Sequence, residues 1–312
     1  MVESCWILGL AIMIVSEAAT LARIEPFWSW NTPIAWTGFI LFADGLVWRA
    51  RGSSWLRSRP YEFAWLALAS IPLWLVFEGY NLRIDNWSYA GLPNNWWLRQ
   101  FGYAWSFATI WPAIFEGADL VGAWRLGGRG ASGGPRGPNQ SGPPDLPGLV
   151  AAVYVAAGAL MLLSPFFVSP DVARYLAAPV WLGFIFLLDP LNARLGGPSL
   201  IVELRQHRYD RFINLVLSGL LCGVLWEFWN YWSRAKWHHT VPIMERVKIF
   251  EMPLPGYLGF PAFALECFTM YVFVRSLRAR LMPGAPISPW CQAARPCDGV
   301  VISRTRGLNR GS

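Results

Sequence analysis

Four glutamates lie within long apolar stretches of the chain, in two pairs with nearly the same spacing. Glu116 follows Glu78 by 38 residues, and Glu266 follows Glu227 by 39. An ionisable side chain inside a bilayer-length segment is costly, so it usually faces the protein interior and serves a function. A carboxyl group removed from water favours its neutral form, which a general acid needs near neutral pH. We therefore expect Glu227 and Glu266 to act as a catalytic acid and base, with Glu78 and Glu116 as the related pair.

An asparagine follows the first glutamate of each pair by three residues. Asn81 and Asn230 therefore share a helix face with Glu78 and Glu227, respectively. An amide at this position can orient a carboxyl group without neutralising it, so both asparagines are predicted to belong to the catalytic site. The alternative is that each glutamate only forms a structural hydrogen bond between helices.

Two aspartates end a nonapeptide that occurs twice. Residues 36–44 (WTGFILFAD) and 181–189 (WLGFIFLLD) agree at five positions and end in Asp44 and Asp189. Together with the glutamate pairs, this match indicates an internal duplication with an acid in the second, third and fourth helix of each half. Both aspartates are candidates for proton transfer. An ion pair to Arg49 would also explain Asp44, and a helix end would explain Asp189.

Aromatic residues surround these acids. As the lining of a cavity, their rings would stabilise a cation by about 0.5–2 kcal/mol each when desolvated; as interfacial belt residues, they would only position helices in the bilayer. Lys236 could hold an anionic head group, or could lie in a solvated loop. The predicted substrate-binding residues are Trp74, Trp87, Trp111, Trp226, Trp229, Tyr231, Lys236 and Trp237.

The composition is that of a membrane protein. Of the 312 residues, 54% are hydrophobic and only 14% are charged, whereas soluble domains carry roughly a quarter charged residues. The net charge of +7 arises from arginines between apolar stretches and in the tail, which favours membrane orientation over nucleic-acid binding. The sequence has no glycine-rich phosphate loop, no nucleophile elbow and no metal-ligand spacing, so neither a cofactor nor a metal is predicted.

Eight segments have the length of a membrane helix. They lie near residues 5–24, 33–50, 62–82, 99–122, 148–168, 173–191, 212–232 and 256–276. The predicted fold is an all-α membrane protein with eight transmembrane helices in two parallel four-helix repeats. Its first repeat covers residues 1–124, a flexible Gly/Pro-rich linker 125–147, the second repeat 148–280, and a disordered basic tail 281–312.

The distribution of basic residues predicts the orientation. The termini and the even-numbered loops of this arrangement hold 18 of the 26 lysines and arginines. The positive-inside rule then places both termini in the cytoplasm of a multi-pass cell-membrane protein. The sequence gives no indication of the oligomeric state.

Several short motifs resemble those of the small integral-membrane lycopene cyclases. They are Trp87-Ser88-Tyr89, Phe101-Gly102-Tyr103, and a proline four residues before an acid, Pro112 and Glu116; Phe77-Glu78-Gly79 is similar to membrane carotenoid-processing proteins. The resemblance implies tandem helical repeats in which paired carboxyl groups protonate a polyene and remove a proton after ring closure. The family has adjacent acids after the proline and three helices per repeat. Here one acid is followed by Gly117 or Cys267, and four helices are predicted per repeat.

These observations favour an integral-membrane enzyme that cyclises an isoprenoid or shifts its double bond, using membrane-embedded glutamates and a tryptophan-lined cavity. A membrane lipid or an isoprenoid is the expected substrate. A proton-coupled carrier or lipid-binding transporter suits parallel repeats with midplane acids equally well. A non-catalytic membrane scaffold is the third alternative.

Overall fold

Helices dominate the computed structural model, which describes residues 5–125, 146–244 and 246–281. The predicted linker and tail, 125–147 and 281–312, lie almost entirely outside these residues. The eight long helices are α1 (Cys5–Leu21), α2 (Phe27–Arg51), α4 (Pro60–Ile84), α5 (Trp96–Arg125), α6 (Gly148–Leu163), α8 (Ala177–Arg194), α10 (Asp210–Trp232) and α11 (Gly259–Leu281). Short helices are α3 (Trp55–Ser58), α7 (Pro170–Ala173) and α9 (Leu200–Arg205), and 3-10 turns cover Ser164–Phe166 and Leu254–Leu258.

The all-α class is confirmed, and the surface of the helices is that of a membrane protein. Each of the eight predicted segments coincides with one long helix. Four helical stretches in the described residues are long and apolar enough to cross a bilayer: Pro60–Ile84, Gly148–Phe166, Asp210–Trp232 and Leu254–Leu281. Large apolar side chains such as Leu68 and Leu160, 63% and 71% exposed, point away from the protein, as lipid-facing residues do.

Glycines allow two helix pairs to approach closely. A Cβ atom on Gly9 of α1 would overlap the backbone of Phe42 in α2, and one on Gly158 of α6 would overlap the backbone of Leu187 in α8. In both pairs the next obstacle is the carbonyl oxygen of a glycine on the facing helix, Gly38 or Gly183. Small residues at such crossings are the usual means of packing helices in membranes, where no water drives association.

The two nonapeptide aspartates act as anchors for short helices. The Asp44 carboxylate accepts a 2.9 Å hydrogen bond from the backbone nitrogen of Leu56 in α3. Asp189 accepts bonds of 2.9 Å from the nitrogens of Leu200 and Ile201 in α9, and one of 2.6 Å from the Ser199 hydroxyl. The unpaired N–H groups of a helix start need such acceptors. Both aspartates thus have a structural role at a helix start, and the expectation that Asp44 and Asp189 take part in catalysis stays a prediction.

A two-stranded ribbon joins the two halves of the chain. Strand β1 (Trp87–Ala90) pairs antiparallel with β2 (Lys236–His239), which places Trp87 opposite His239 and Tyr89 opposite Trp237. A second, smaller ribbon is formed by β3 (Lys248–Ile249) and β4 (Met252–Pro253).

Asn81 and Asn230, which the sequence predicts to orient the glutamates, bond to the backbone of this ribbon instead. Asn81 Nδ2 donates to the carbonyl oxygen of Trp87 at 2.8 Å, and Asn230 Nδ2 donates to that of Trp237, also at 2.8 Å. The Asn230 Oδ1 atom in turn accepts from the backbone nitrogen of Trp237 at 2.9 Å. Each asparagine, at the end of its helix, therefore supplies the partners that the strand backbone needs.

Candidate functional site: an aromatic cavity with a buried acid

A cavity of about 550 Å³ lies between the helices and the β1–β2 ribbon. This volume is within the range of small-molecule sites, which are mostly apolar with a few polar groups. Wall residues Leu98 and Leu258 are 49% and 75% exposed, so the cavity reaches the surface at the end of the bundle where the ribbons lie. Its aromatic lining comprises Trp30, Trp36, Trp74, Trp87, Tyr89, Tyr103, Phe107, Tyr175, Trp181, Trp226, Trp237, Phe260 and Phe263.

Glu227 is the one acid in the described wall of this cavity. Its side chain is buried, with 1% of its surface exposed. Oε1 accepts a 3.2 Å hydrogen bond from the indole nitrogen of Trp237 and lies 3.0 Å from Nε2 of His239. Oε2 has no hydrogen-bond partner among the described residues. One carboxyl oxygen is thus fixed by the ribbon, and the other is unpartnered in the described part of the chain.

Glu78 is held in a related way but lies behind the wall. Its Oε1 accepts from the indole nitrogens of Trp74 at 2.8 Å and Trp87 at 3.3 Å, and from the Tyr89 hydroxyl at 2.6 Å. Burial, together with the Glu78 charge and hydrogen bond, raises the pKa of Tyr89 well above its usual value. Tyr89 therefore stays a neutral donor to Glu78 across the physiological range.

The two carboxyl groups consequently differ in the partner that the ribbon supplies. The Tyr89 hydroxyl donates its proton to Glu78, whereas the His239 ring has two nitrogens, one of which can donate and the other accept. A carboxyl group paired with histidine can exchange a proton with it and remain set for the next transfer. The Glu227–His239 pair is therefore the arrangement in this cavity best suited to general acid–base chemistry.

Glu116 of α5 and Glu266 of α11 lie in the packed interior of the protein and do not line the cavity. Glu266 is fully buried, and its Oε1 accepts from the backbone nitrogen of Phe184 at 3.2 Å. On α11 the cavity face is formed by Phe260 and Phe263, and Glu266 lies about a turn deeper. Glu116 is also fully buried, close enough to Asp44 to interact with it electrostatically. The expected acid–base pair of Glu227 with Glu266 is thus not assembled at the cavity. The partner of Glu227 there is His239.

The predicted substrate-binding residues divide into two groups. Trp74, Trp87, Trp226, Trp237 and Lys236 line the cavity. The Lys236 ammonium group, however, donates to the Tyr231 carbonyl oxygen at 2.6 Å and lies 3.9 Å from Glu251.

Three predicted residues lie outside the wall. The indole of Trp111 is completely buried and donates to the carbonyl oxygen of Cys267 at 2.9 Å. Trp229 packs edge-on against Trp36, with ring centroids 4.9 Å apart. Tyr231 is 40% exposed on the outer face of α10 and contacts the ring of Trp232. Of the tryptophans flanking Glu227, Trp226 is therefore the one that faces the cavity.

Sequence analysis missed His239, Arg99, Trp36 and Trp181 as wall residues. A signal for His239 was present: the triplets Trp87-Ser88-Tyr89 and Trp237-His238-His239 occupy the same position in the two halves. Aligning them places His239 where Tyr89 stands. Trp36 and Trp181 similarly open the two copies of the nonapeptide.

The described residues contain no group of three or more His, Cys, Asp or Glu side chains arranged to hold a metal ion. Cys222 and Cys267 are free and buried. Comparison of the chain with protein-family models, with curated proteins and with solved structures finds no match.

Proposed function

We propose that this protein is an integral-membrane enzyme that cyclises an isoprenoid or shifts one of its double bonds by proton transfer. The observation that carries the proposal is the Glu227–His239 pair, 3.0 Å apart, in the wall of a cavity lined by tryptophans. The apolar lining suits a hydrocarbon chain, and the single acid with an unpartnered oxygen suits a proton donor.

The proposed chemistry needs no oxidant and no reductant. The Glu227 carboxyl group transfers its proton to one carbon of a substrate double bond, forming a C–H bond and leaving a carbocation on the other carbon. The faces of Trp226 and Trp237 stabilise that charge. A second double bond then attacks to close a ring, or the cation keeps its skeleton. Loss of a neighbouring proton to the Glu227 carboxylate or to His239 restores a double bond, so product and substrate have the same mass.

The architecture in this proposal is two four-helix repeats that together cross the membrane eight times. The support is positional. Gly9 and Gly158 each lie against the backbone of the facing helix. Asn81 bonds to Trp87, and Asn230 bonds to Trp237, which matches Trp87 in the other half. The β1–β2 register is the one that a two-fold axis through the ribbon requires. Both repeats then run parallel, with both termini in the cytoplasm of the cell membrane.

One observation favours a second function, a proton-coupled carrier. Glu78 and Glu227 have matched surroundings, each with an indole donor from the ribbon. A carrier that rocks about a two-fold axis needs such equivalence. The asymmetry of the cavity, which includes Glu227 but not Glu78, favours the enzyme.

The test is mass spectrometry of lipid extracts from cells that express the wild-type chain, the Glu227→Gln variant or neither. For the enzyme we expect an isoprenoid to be replaced by a product of equal mass and different retention time in the wild type only. An unchanged lipid profile in all three, with the protein shown to be inserted and abundant, rejects the enzyme and leaves the carrier.

A further inference from the structure

Arg99 is a cation in the wall of the aromatic cavity. It lies in the first turn of α5, next to the exposed wall residue Leu98, and so near the surface end of the cavity. Its Nε atom is buried without a hydrogen-bond partner in the described part of the chain. Among the described residues, no ion pair includes the Arg99 side chain.

Three other arginines at this end of the bundle are differently placed. Arg174 lies 3.9 Å from Asp85, and Arg234 lies 3.2 Å from Glu25. Arg83 donates to the carbonyl oxygens of Pro165 and Val168. Each has an oxygen acceptor within the protein, whereas the Arg99 guanidinium has none within the described residues.

In the described part of the chain, the acids near the cavity form no ion pair with Arg99. Oε1 of Glu227 is held by Trp237 and His239, and Oε1 of Glu78 accepts hydrogen bonds from Trp74, Trp87 and Tyr89. The Arg99 side chain is half-buried, and the part of a charged group that is removed from water is unfavourable unless an opposite charge accompanies it. A guanidinium also presents its N–H groups in a fork that matches the oxygens of a phosphate or carboxylate.

We infer that Arg99 binds the anionic head, a phosphate or a carboxylate, of an amphipathic isoprenoid whose chain lies along the tryptophan wall towards Glu227. This rests on the proposed function and narrows it to substrates that carry a charged head. Thr32, on the α2 side of the same wall, has a buried hydroxyl without a partner among the described residues and is a second polar group of the wall.

The inference is tested by equilibrium binding of two radiolabelled probes, geranylgeranyl monophosphate and geranylgeraniol, to the full chain in phosphatidylcholine nanodiscs. Because charge-assisted hydrogen bonds contribute about 1.5–3 kcal/mol, the wild type should bind the phosphate roughly 10–100 times more tightly than the alcohol. Arg99→Gln should lose this preference and keep its affinity for the alcohol. Arg99→Lys should keep part of the preference.

Arg194→Gln is the matched control, because it removes the same charge from an exposed side chain that contacts the carbonyl oxygen of Gly148, away from the cavity. It should behave as the wild type. Equal binding of the two probes by the wild type, or equal losses in the Arg99 and Arg194 variants, overturns the inference. Competition by phosphatidylglycerol at Arg99 would overturn it in favour of a bilayer phosphate.

Failure of the proposed function gives a different pattern. Glu227→Gln should keep the preference for the phosphate over the alcohol, since that preference depends on Arg99. If no lipid is converted while the Arg99-dependent preference persists, the enzyme is rejected and the anionic-head site stands.

Discussion

The Nε2 atom of His239 lies 3.0 Å from Oε1 of Glu227, and at the matching place in the other half the hydroxyl of Tyr89 lies 2.6 Å from Oε1 of Glu78. The strand register places Trp87 opposite His239 and Tyr89 opposite Trp237, so the ribbon supplies two ring partners to each of the two carboxyl groups. At this place the two sites differ, because the ribbon supplies a tyrosine hydroxyl to Glu78 and a histidine ring, which has both a donor and an acceptor nitrogen, to Glu227.

The first prediction concerns this difference. Glu227→Gln should lower turnover by roughly 10²–10⁴, because glutamine keeps the shape but cannot donate an acid proton. Glu78→Gln should lower it only a few-fold, since Glu78 lies behind the wall. His239→Gln should fall between them. Product formation per inserted protein, quantified by liquid chromatography and mass spectrometry, is the measurement.

Each variant must accumulate in the membrane as the parent does before its rate is compared. Equal losses from the Glu78 and Glu227 variants would contradict the assignment and match a carrier with two equivalent halves.

The second prediction separates two neighbouring tryptophans. Trp226→Leu should slow turnover by about 5–30-fold, because about 1–2 kcal/mol of cation stabilisation is lost from the cavity wall. Trp229→Leu should leave the rate of the folded enzyme nearly unchanged and lower its unfolding temperature, because Trp229 packs on Trp36 and does not line the cavity. The reverse order of the two effects on rate would place the reacting carbon elsewhere.

The positions of the helices could be predicted from the sequence, and their facing sides could not. Apolar stretches of bilayer length indicated all eight helical segments. The repeated spacing of Glu, Asn and Trp indicated two residues of the cavity wall, Glu227 and Trp226. A lipid-exposed helix is apolar all round, so its pattern does not reveal which side faces inward. For that reason Glu266, Trp111 and Trp229 were expected at the cavity although they lie in packed regions.

The roles of Asp44, Asp189 and the two asparagines depended on contacts that are distant in sequence. The structural role of Asp44 comes from its hydrogen bond with the backbone nitrogen of Leu56 in α3, which the sequence around Asp44 does not reveal. The pairing of β1 with β2 joins strands of four residues from opposite halves, and no local pattern predicts such a pair. His239 could be recognised only once the two triplets were aligned.

The third prediction tests the close helix contact. Gly158→Ala should destabilise the protein by roughly 1–3 kcal/mol, the usual cost of overpacking, because its Cβ would overlap the backbone of Leu187. Gly79→Ala is the matched control, since a Cβ there meets nothing within 4 Å, and alanine favours the helix. Thermal unfolding in detergent, followed by tryptophan fluorescence, should separate the two variants. Similar unfolding temperatures would mean that α6 and α8 do not pack at this glycine.

The fourth prediction concerns topology. With eight crossings, reporter fusions within residues 125–147 and after Ser312 should both report the cytoplasm, in line with the 18 basic residues on that side. A fusion between Gly91 and Asn95, in the β1–α5 connection, should report the opposite side. A signal from the opposite side for the 125–147 fusion would overturn both the helix count and the parallel repeats.

The last prediction uses the pH dependence of stability. Burial, with the charge and hydrogen bond of Glu78, raises the pKa of Tyr89 well above that of an unfolded tyrosine, which is about 10. The folded protein therefore holds the Tyr89 proton in a range where the unfolded chain releases it. Below about pH 10 the contribution of Tyr89 to the free energy of unfolding is present in full. Above about pH 10 the free energy of unfolding should fall by up to about 1.4 kcal/mol per pH unit. Tyr89→Phe should remove this part of the slope, measured by denaturant unfolding between pH 8 and about 11. Tyr61→Phe, which alters a ring that is 91% exposed, should retain it. An unchanged slope in the Tyr89 variant would mean that the Tyr89–Glu78 contact does not persist in solution.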